Sequence, residues 1–130
     1  NEFCSPVMIS TIGAEAAYNN GEAWLEQMLK YVEGNIDFVL DYIDSNIPGL
    51  KAIRPEASFL VWLDFRGLNM CQKQLMDLLL DKAHIALNDG TMFGTQGAGF
   101  ARLNVGTPRC VLAAALESLK TAVEAVCTDK

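Results

Sequence analysis

The sequence predicts an α+β fold in which a short sheet packs against helices and follows a long N-terminal helix. Three observations support this prediction. Apolar residues recur at steps of three and four over residues 22–47, strand-forming residues cluster at 58–65 and 100–105, and a proline-containing start signal precedes a last helical segment. The predicted order is helix, helix, strand, helix, strand, strand, helix.

The first third of the chain is predicted to be helical. Small apolar residues favour a short helix over residues 6–19, and residues 19–21 (NNG) break it. A long helix begins at Glu22 and ends before Pro48 and Gly49. Its apolar stripe consists of Leu25, Met28, Val32, Ile36, Val39, Ile43 and Ile47. Such a helix is roughly 39 Å long at about 1.5 Å per residue, which predicts that part of it contacts something outside a domain of this size.

Strands and helices alternate in the middle of the chain. Residues 58–65 are almost continuously hydrophobic, which predicts a central strand covered on both faces. An amphipathic helix is predicted over residues 71–83, and residues 84–87 are a candidate short strand. A loop with four glycines occupies residues 88–99. The core-facing side of the predicted helix carries Leu75, Leu78, Leu79 and the stem of Lys82.

A strand over residues 100–105 carries the most suggestive polar residues. Phe100, Arg102 and Asn104 share one face of it, and the alternate residues face the core. An arginine directly after a glycine-rich loop suits bidentate binding of a carboxylate. On spacing alone, however, an ordinary salt bridge on a solvated edge strand is the simpler interpretation.

The last predicted element is a helix over residues 111–126. Thr107 is expected to be its N-cap, and Pro108 is expected to occupy the first helical position.

Composition excludes several classes of function. With 16 acidic and 10 basic residues the formal net charge is −6, and the basic residues are scattered, so no nucleic-acid partner is expected. No apolar run approaches the ~20 residues of a membrane span, so no membrane partner is expected. One histidine and four widely spaced cysteines predict no metal site and no disulfide framework, but reduced thiols in a cytoplasmic protein. The cysteines are Cys4, Cys71, Cys110 and Cys127.

Three blocks of sequence, taken together, carry a family resemblance. PEASFLVWLDF (55–65), HIALNDGTMFG (84–94) and GFARLNVGTPR (99–109) resemble, in this order, the last part of class I/II aminotransferase-like enzymes. These are fold-type I enzymes that depend on pyridoxal 5′-phosphate (PLP). The chain is most similar to their MalY/PatB branch, the cystathionine β-lyase-like C–S lyases. Residues 5–35 resemble the helical segment that bridges the large and small domains. The resemblance covers nearly the whole chain but only the final third of a typical member.

The resemblance implies the small C-terminal domain of an aspartate aminotransferase-like fold. Residues 1–47 would be the interdomain helical segment and residues 48–130 the small domain, with the PLP-binding large domain absent. Arg102 matches the arginine that binds the substrate α-carboxylate. Asn104 and the loop containing Gly90, Met92 and Phe93 would lie near the mouth of the site, and the full-length enzyme would be a homodimer acting on a sulfur-containing amino acid.

The chain departs from the family pattern in its lysines. None of them lies in the family's Ser-x-x-Lys setting, so the Schiff-base lysine and the acidic partner of the cofactor are expected upstream. No catalytic residue and no PLP binding are therefore expected of this chain alone. The implied reaction of the full protein is β-elimination to pyruvate, ammonia and a thiol. An aminotransferase is the first alternative. A non-enzymatic interaction domain is the second, since some MalY-like proteins also bind a transcription regulator.

Overall fold

The computed structural model describes residues 7–128, which form two units by their internal contacts, one ending at Tyr31 and one beginning at Val32. The first unit contains α1 (Met8–Asn20) and the start of α2 (Glu22–Asn46). Gly21 separates the two helices. Its N–H donates to the carbonyl of Ala17 at 2.7 Å, and its own carbonyl accepts the amide of Leu25 at 2.9 Å. Both predicted N-terminal helices are confirmed over the described residues.

Most apolar side chains of the first unit are exposed. No residue of α1 is buried, and Leu25 of α2 is 44% exposed, whereas Ile36, Val39 and Ile43 further along α2 are buried. The stripe predicted for the long helix is therefore buried only in its second half. The large exposed apolar residues of this unit are Val7, Met8, Ile9, Ile12, Tyr18, Trp24, Leu25, Leu29 and Tyr31.

The second unit contains a four-stranded antiparallel sheet in the order β1-β2-β4-β3. Its strands are β1 (Lys51–Ile53), β2 (Leu60–Asp64), β3 (Asn88–Asp89) and β4 (Phe100–Asn104). The second half of α2, α3 (Gln72–Asp77) and α4 (Arg109–Thr128) supply the helical side of one hydrophobic core. The α+β class is thus confirmed, while β1 had not been predicted.

The two inner strands bury one face each. Val61 and Leu63 of β2 and Ala101 of β4 have no exposed surface, whereas Trp62 is only half-buried. β2 is central, as predicted, but within residues 7–128 its second face is only half-buried, so the predicted cover on both faces is not found there. Its continuous hydrophobicity has another cause, because Trp62 packs on aromatic rings across the open face.

Two boundaries differ from prediction. Residues 84–87 form no strand. His84 lies at φ 56°, a left-handed conformation that ends the preceding helix, and the strand follows at Asn88–Asp89. The final helix begins at Arg109, and the carbonyl of Pro108 accepts its first backbone bonds from Val111 and Leu112. Pro108 therefore precedes this helix and does not occupy its first position.

The predicted core role of Lys82 is wrong for a geometric reason. After α3 the backbone continues as a π-helical turn over Leu78–Lys82, in which the amide of Ala83 bonds the carbonyl of Leu78, five residues back, at 2.9 Å. This wider turn places Ala83, which is 1% exposed, on the side of Leu79 and leaves Lys82 in solvent.

None of the helices in the described residues is both long enough and apolar enough to cross a membrane.

Candidate functional site

Arg102 lies at the centre of β4, on the open face of the sheet. It pairs with Trp62 of β2 on one side and with Asn88 of β3 on the other. Phe100 and Asn104 share its face, as the alternation predicted, and Leu103 lies on the opposite, core side. Arg102 therefore lies between two neighbouring strands of the sheet.

The guanidinium of Arg102 is held by neutral groups. Its central carbon lies 4.3 Å from the ring centroid of Phe93, and Nη2 donates to Oδ1 of Asn88 at 3.2 Å. Nε is buried and has no hydrogen-bond partner, and no carboxylate pairs with this arginine among residues 7–128. The ordinary salt bridge that spacing alone favoured is therefore not formed there. A buried cationic donor without an acceptor is costly, so the site suits an incoming anion.

An aromatic cluster lies beside Arg102. The Trp62 and Phe93 rings meet edge-on at 5.4 Å, and Trp62 meets Phe100 in the same way at 6.2 Å. Together with Gln96 and Gly97, these three rings line a cavity of about 270 Å³. Phe93, whose ring lies against the Arg102 guanidinium, therefore also lines an apolar cleft.

A hydrogen-bond network fixes the loop that carries Phe93. Oδ1 of Asp89 accepts the hydroxyl of Thr91 at 2.7 Å, the amide of Thr91 at 2.8 Å and Nε2 of Gln72 at 2.7 Å. The hydroxyl bond of Thr91 is the largest of the effects that hold the pKa of Asp89 below its usual value, and the bond from Gln72 acts in the same direction. Oε1 of Gln72 accepts the amide of Gly99 at 2.7 Å.

Gly90 and Asn104 have local structural roles here. Gly90 is buried, and a Cβ on it would lie 2.3 Å from the carbonyl oxygen of Gly97, so only glycine permits this backbone approach. Oδ1 of Asn104 accepts the amide of Gly106 at 2.8 Å and thereby stabilises the turn after β4. Met92 is exposed beside Phe93 at the surface of the same loop.

The polar contacts that anchor the end of β4 are not predictable from a local sequence pattern. Asn35 of α2 is fully buried, and its Nδ2 donates to the carbonyls of Val105 and Thr107, each at 2.9 Å. Its Oδ1 accepts Nε of Arg109 at 3.0 Å. The only available signal was a polar residue next to Ile36 in an otherwise apolar stripe.

The lysines of the described residues do not fit the seat of a PLP cofactor. None is buried, and Lys73 forms an exposed ion pair with Asp77 at 2.7 Å. A Schiff-base lysine needs an enclosed position with an acidic partner for the cofactor ring. Within residues 7–128 there is also no group of His, Cys, Asp and Glu that could bind a metal ion. Cys71 and Cys110 are free thiols, Cys4 lies outside the described residues, and nothing is described of the Cys127 side chain.

The fold and the site define an α+β domain with an arginine on its open sheet face whose Nε has no partner within residues 7–128. A sequence model of the family "Aminotransferase class I and II" matches residues 1–119, and the chain belongs to this family. It is 35% identical to cystathionine beta-lyase PatB of Bacillus subtilis, a match that covers 84% of this chain and 28% of PatB. It is 33% identical to protein MalY of Escherichia coli, covering 94% of this chain and 31% of MalY.

The structural comparison agrees with the sequence comparison. Cystalysin from Treponema denticola, whose crystal structure contains a pyridoxal 5′-phosphate cofactor, superposes with a TM-score of 0.89 at 32% identity. The match covers 92% of this chain and 30% of cystalysin. The chain thus spans less than a third of the length of these three relatives. Its architecture is that of the C-terminal part of aminotransferase-fold PLP enzymes.

Proposed function

We propose that this chain is the small-domain part of a PLP-dependent C–S lyase and that Arg102 binds the α-carboxylate of a sulfur-containing amino acid. The observation that carries the proposal is the buried Nε of Arg102, which has no hydrogen-bond partner in residues 7–128. The other contacts of the same guanidinium are to neutral groups, the ring of Phe93 and the amide oxygen of Asn88. The similarity to PatB and cystalysin supports the choice of reaction.

In this proposal the site works by orientation. The ring of Phe93 and the amide oxygen of Asn88 restrict the guanidinium to one plane, which favours a carboxylate that accepts two parallel N–H bonds. The fixed carboxylate then limits the positions open to the substrate Cα. The aromatic cleft at Trp62 provides polarisable apolar surface close to the substrate, which suits a thioether.

The remainder of the enzyme would supply the chemistry. PLP provides an electron sink for the reaction at Cα, and β-elimination yields pyruvate, ammonia and a thiol. Residues 1–47 would bridge to the cofactor-binding domain and residues 48–130 would form the small domain of a homodimer. The exposed apolar side chains of the first unit, such as Ile12, Trp24 and Leu29, would then be covered in the complete protein.

An aminotransferase is a second candidate, because the matching family model is that of class I and II aminotransferases. Arg102 would bind the α-carboxylate in the same way in either enzyme, so it does not distinguish the two reactions.

The reaction is tested with the full-length protein that contains this chain. We expect that the protein, supplied with PLP and L-cystathionine, releases pyruvate and free thiol together. Amino-group transfer to a 2-oxo acid without thiol release would show that the protein is an aminotransferase and would refute the lyase assignment. No turnover in either assay would favour a non-enzymatic interaction domain.

The role of Arg102 is tested by substitution in the same protein. In the proposed complex Arg102→Ala removes two charge-assisted hydrogen bonds to the substrate carboxylate. At about 1.5–3 kcal/mol for each bond, kcat/KM should fall about 10²–10⁴-fold. Arg102→Lys keeps the charge without the fork and should recover only part of this loss. Arg54→Ala, which removes an exposed guanidinium paired with Asp37, is the matched control and should leave kcat/KM unchanged. Normal kcat/KM in Arg102→Ala would refute the assignment.

A further inference from the structure

We propose that Gln72 is a positioning residue for carboxylate binding, acting on Arg102 through the loop over residues 89–99. The inference rests on the proposed function of Arg102 and goes beyond it, because Gln72 lies on α3 and does not contact the guanidinium. It assigns a role to a side chain that the sequence pattern does not single out.

One side-chain amide joins the two ends of this loop. Nε2 of Gln72 donates to Oδ1 of Asp89 at 2.7 Å, where the loop begins, and Oε1 accepts the amide of Gly99 at 2.7 Å, where it ends. The half-buried Gln72 side chain therefore closes a segment that otherwise contains only short 3₁₀ turns. Closing a loop at both ends removes much of its conformational freedom.

One contact of the Arg102 guanidinium lies directly before the segment that Gln72 anchors, and the other lies within it. Asn88, whose Oδ1 accepts from Arg102, directly precedes Asp89, and Phe93, whose ring lies under the guanidinium, follows four residues after it. A shift of Asp89 would move the hydrogen-bond acceptor and the ring together. Gln72 thus fixes the plane in which Arg102 presents its donors.

The chemistry of the contact requires an amide. Gln72 donates to a carboxylate with one end and accepts from a backbone N–H with the other, and only glutamine combines both functions at this reach. A glutamate of the same size would place two carboxylates against each other at Asp89. The isosteric substitution therefore separates the hydrogen-bond donor from the shape of the side chain.

The experiment uses the full-length protein and the amino-acid substrate that it turns over, compared with the α-carboxamide of the same amino acid. The ratio of the two kcat/KM values measures recognition of the carboxylate. We expect Gln72→Ala and Gln72→Glu each to lower this ratio about tenfold, mainly through a higher KM for the carboxylate substrate, with kcat changed less than about twofold. Hydrogen exchange should accelerate in the peptide that covers residues 89–99.

Gln74→Ala is the matched control, since Gln74 lies on the same helix and its side chain, within residues 7–128, bonds only the amide of Cys71 in the first turn, at 3.0 Å. It should change neither the ratio nor the loop exchange. A general loss of stability would lower both kcat/KM values equally and would leave their ratio intact, so an unchanged ratio in both Gln72 variants overturns the inference.

Arg102→Ala separates the two claims. If it abolishes the preference for the carboxylate while the Gln72 variants keep it, the positioning role alone is wrong. If Arg102→Ala keeps the preference as well, the proposed function of Arg102 fails and the positioning role fails with it.

Discussion

Asn35→Ala tests whether the buried contact between α2 and the end of β4 stabilises the second unit. The substitution removes two hydrogen bonds to the carbonyls of Val105 and Thr107 and one from Nε of Arg109. At about 1 kcal/mol net for each bond the loss is about 3 kcal/mol, and the buried carbonyl of Val105 adds about 1 kcal/mol when its donor is removed. We expect a total loss of about 3–4 kcal/mol.

Urea unfolding measures this loss through the fluorescence of Trp62, in a Trp24→Phe background that leaves Trp62 as the one tryptophan of the chain. With a slope of about 1.5 kcal/mol per molar, the midpoint should fall by about 2 M. Asn46→Ala removes a single bond, from Nδ2 to the carbonyl of Tyr42 at 2.8 Å, and should cost about 1 kcal/mol. Equal losses in the two variants would refute the reasoning.

Asn35→Asp sharpens the same test, because it keeps the size of the side chain and replaces its donor by an acceptor. A carboxylate cannot donate to the carbonyls of Val105 and Thr107, so we expect a loss at neutral pH at least as large as for alanine. Full stability of this variant would show that the pairing with Arg109 alone is sufficient.

Two further predictions concern a glycine and a tyrosine. Gly90→Ala should lower thermal stability and weaken carboxylate recognition, because its Cβ would lie 2.3 Å from the carbonyl oxygen of Gly97. Gly13→Ala, whose Cβ would have nothing within 4 Å, should instead stabilise α1 by about 0.5–1 kcal/mol. Thermal unfolding followed by circular dichroism measures both effects. Burial, with the hydrogen bond to Glu117, raises the pKa of Tyr42 from 10.0 to about 12, so its contribution to stability is complete below pH 10.0 and is lost as the pH rises to about 12. Tyr42→Phe should flatten stability across that interval, and an unchanged slope would contradict the assignment.

The spacing of apolar residues predicts those helices and strands that bury one regular face. The second half of α2 buries Ile36, Val39 and Ile43, all members of the predicted stripe. The alternation in β4 predicts Arg102 on the face opposite Leu103, and the structure has this arrangement. In both cases one apolar face is enough to fix the orientation of every side chain in the element.

Contacts between distant segments were not predictable from the sequence. Asn35 and Val105 are 70 residues apart in sequence, and Gln72 and Gly99 are 27 residues apart. No local sequence pattern therefore predicts either hydrogen bond. β1 has three residues, too few for a period to appear. The continuous apolar run of β2 predicts a second core on its other face. Within residues 7–128, Trp62 instead packs on Phe93 and Phe100 across the open face.

The π-helical turn over Leu78–Lys82 also bears on how the chain can change in length during evolution. The turn holds one residue more than an α-helical turn, and Leu80 within it is 49% exposed. Deleting Leu80 would return the backbone to α-helical spacing and keep Leu78 and Ala83 on the same side of the helix. Insertions and deletions of a single residue among relatives should therefore concentrate at this turn, because they leave the packing of the buried side chains unchanged.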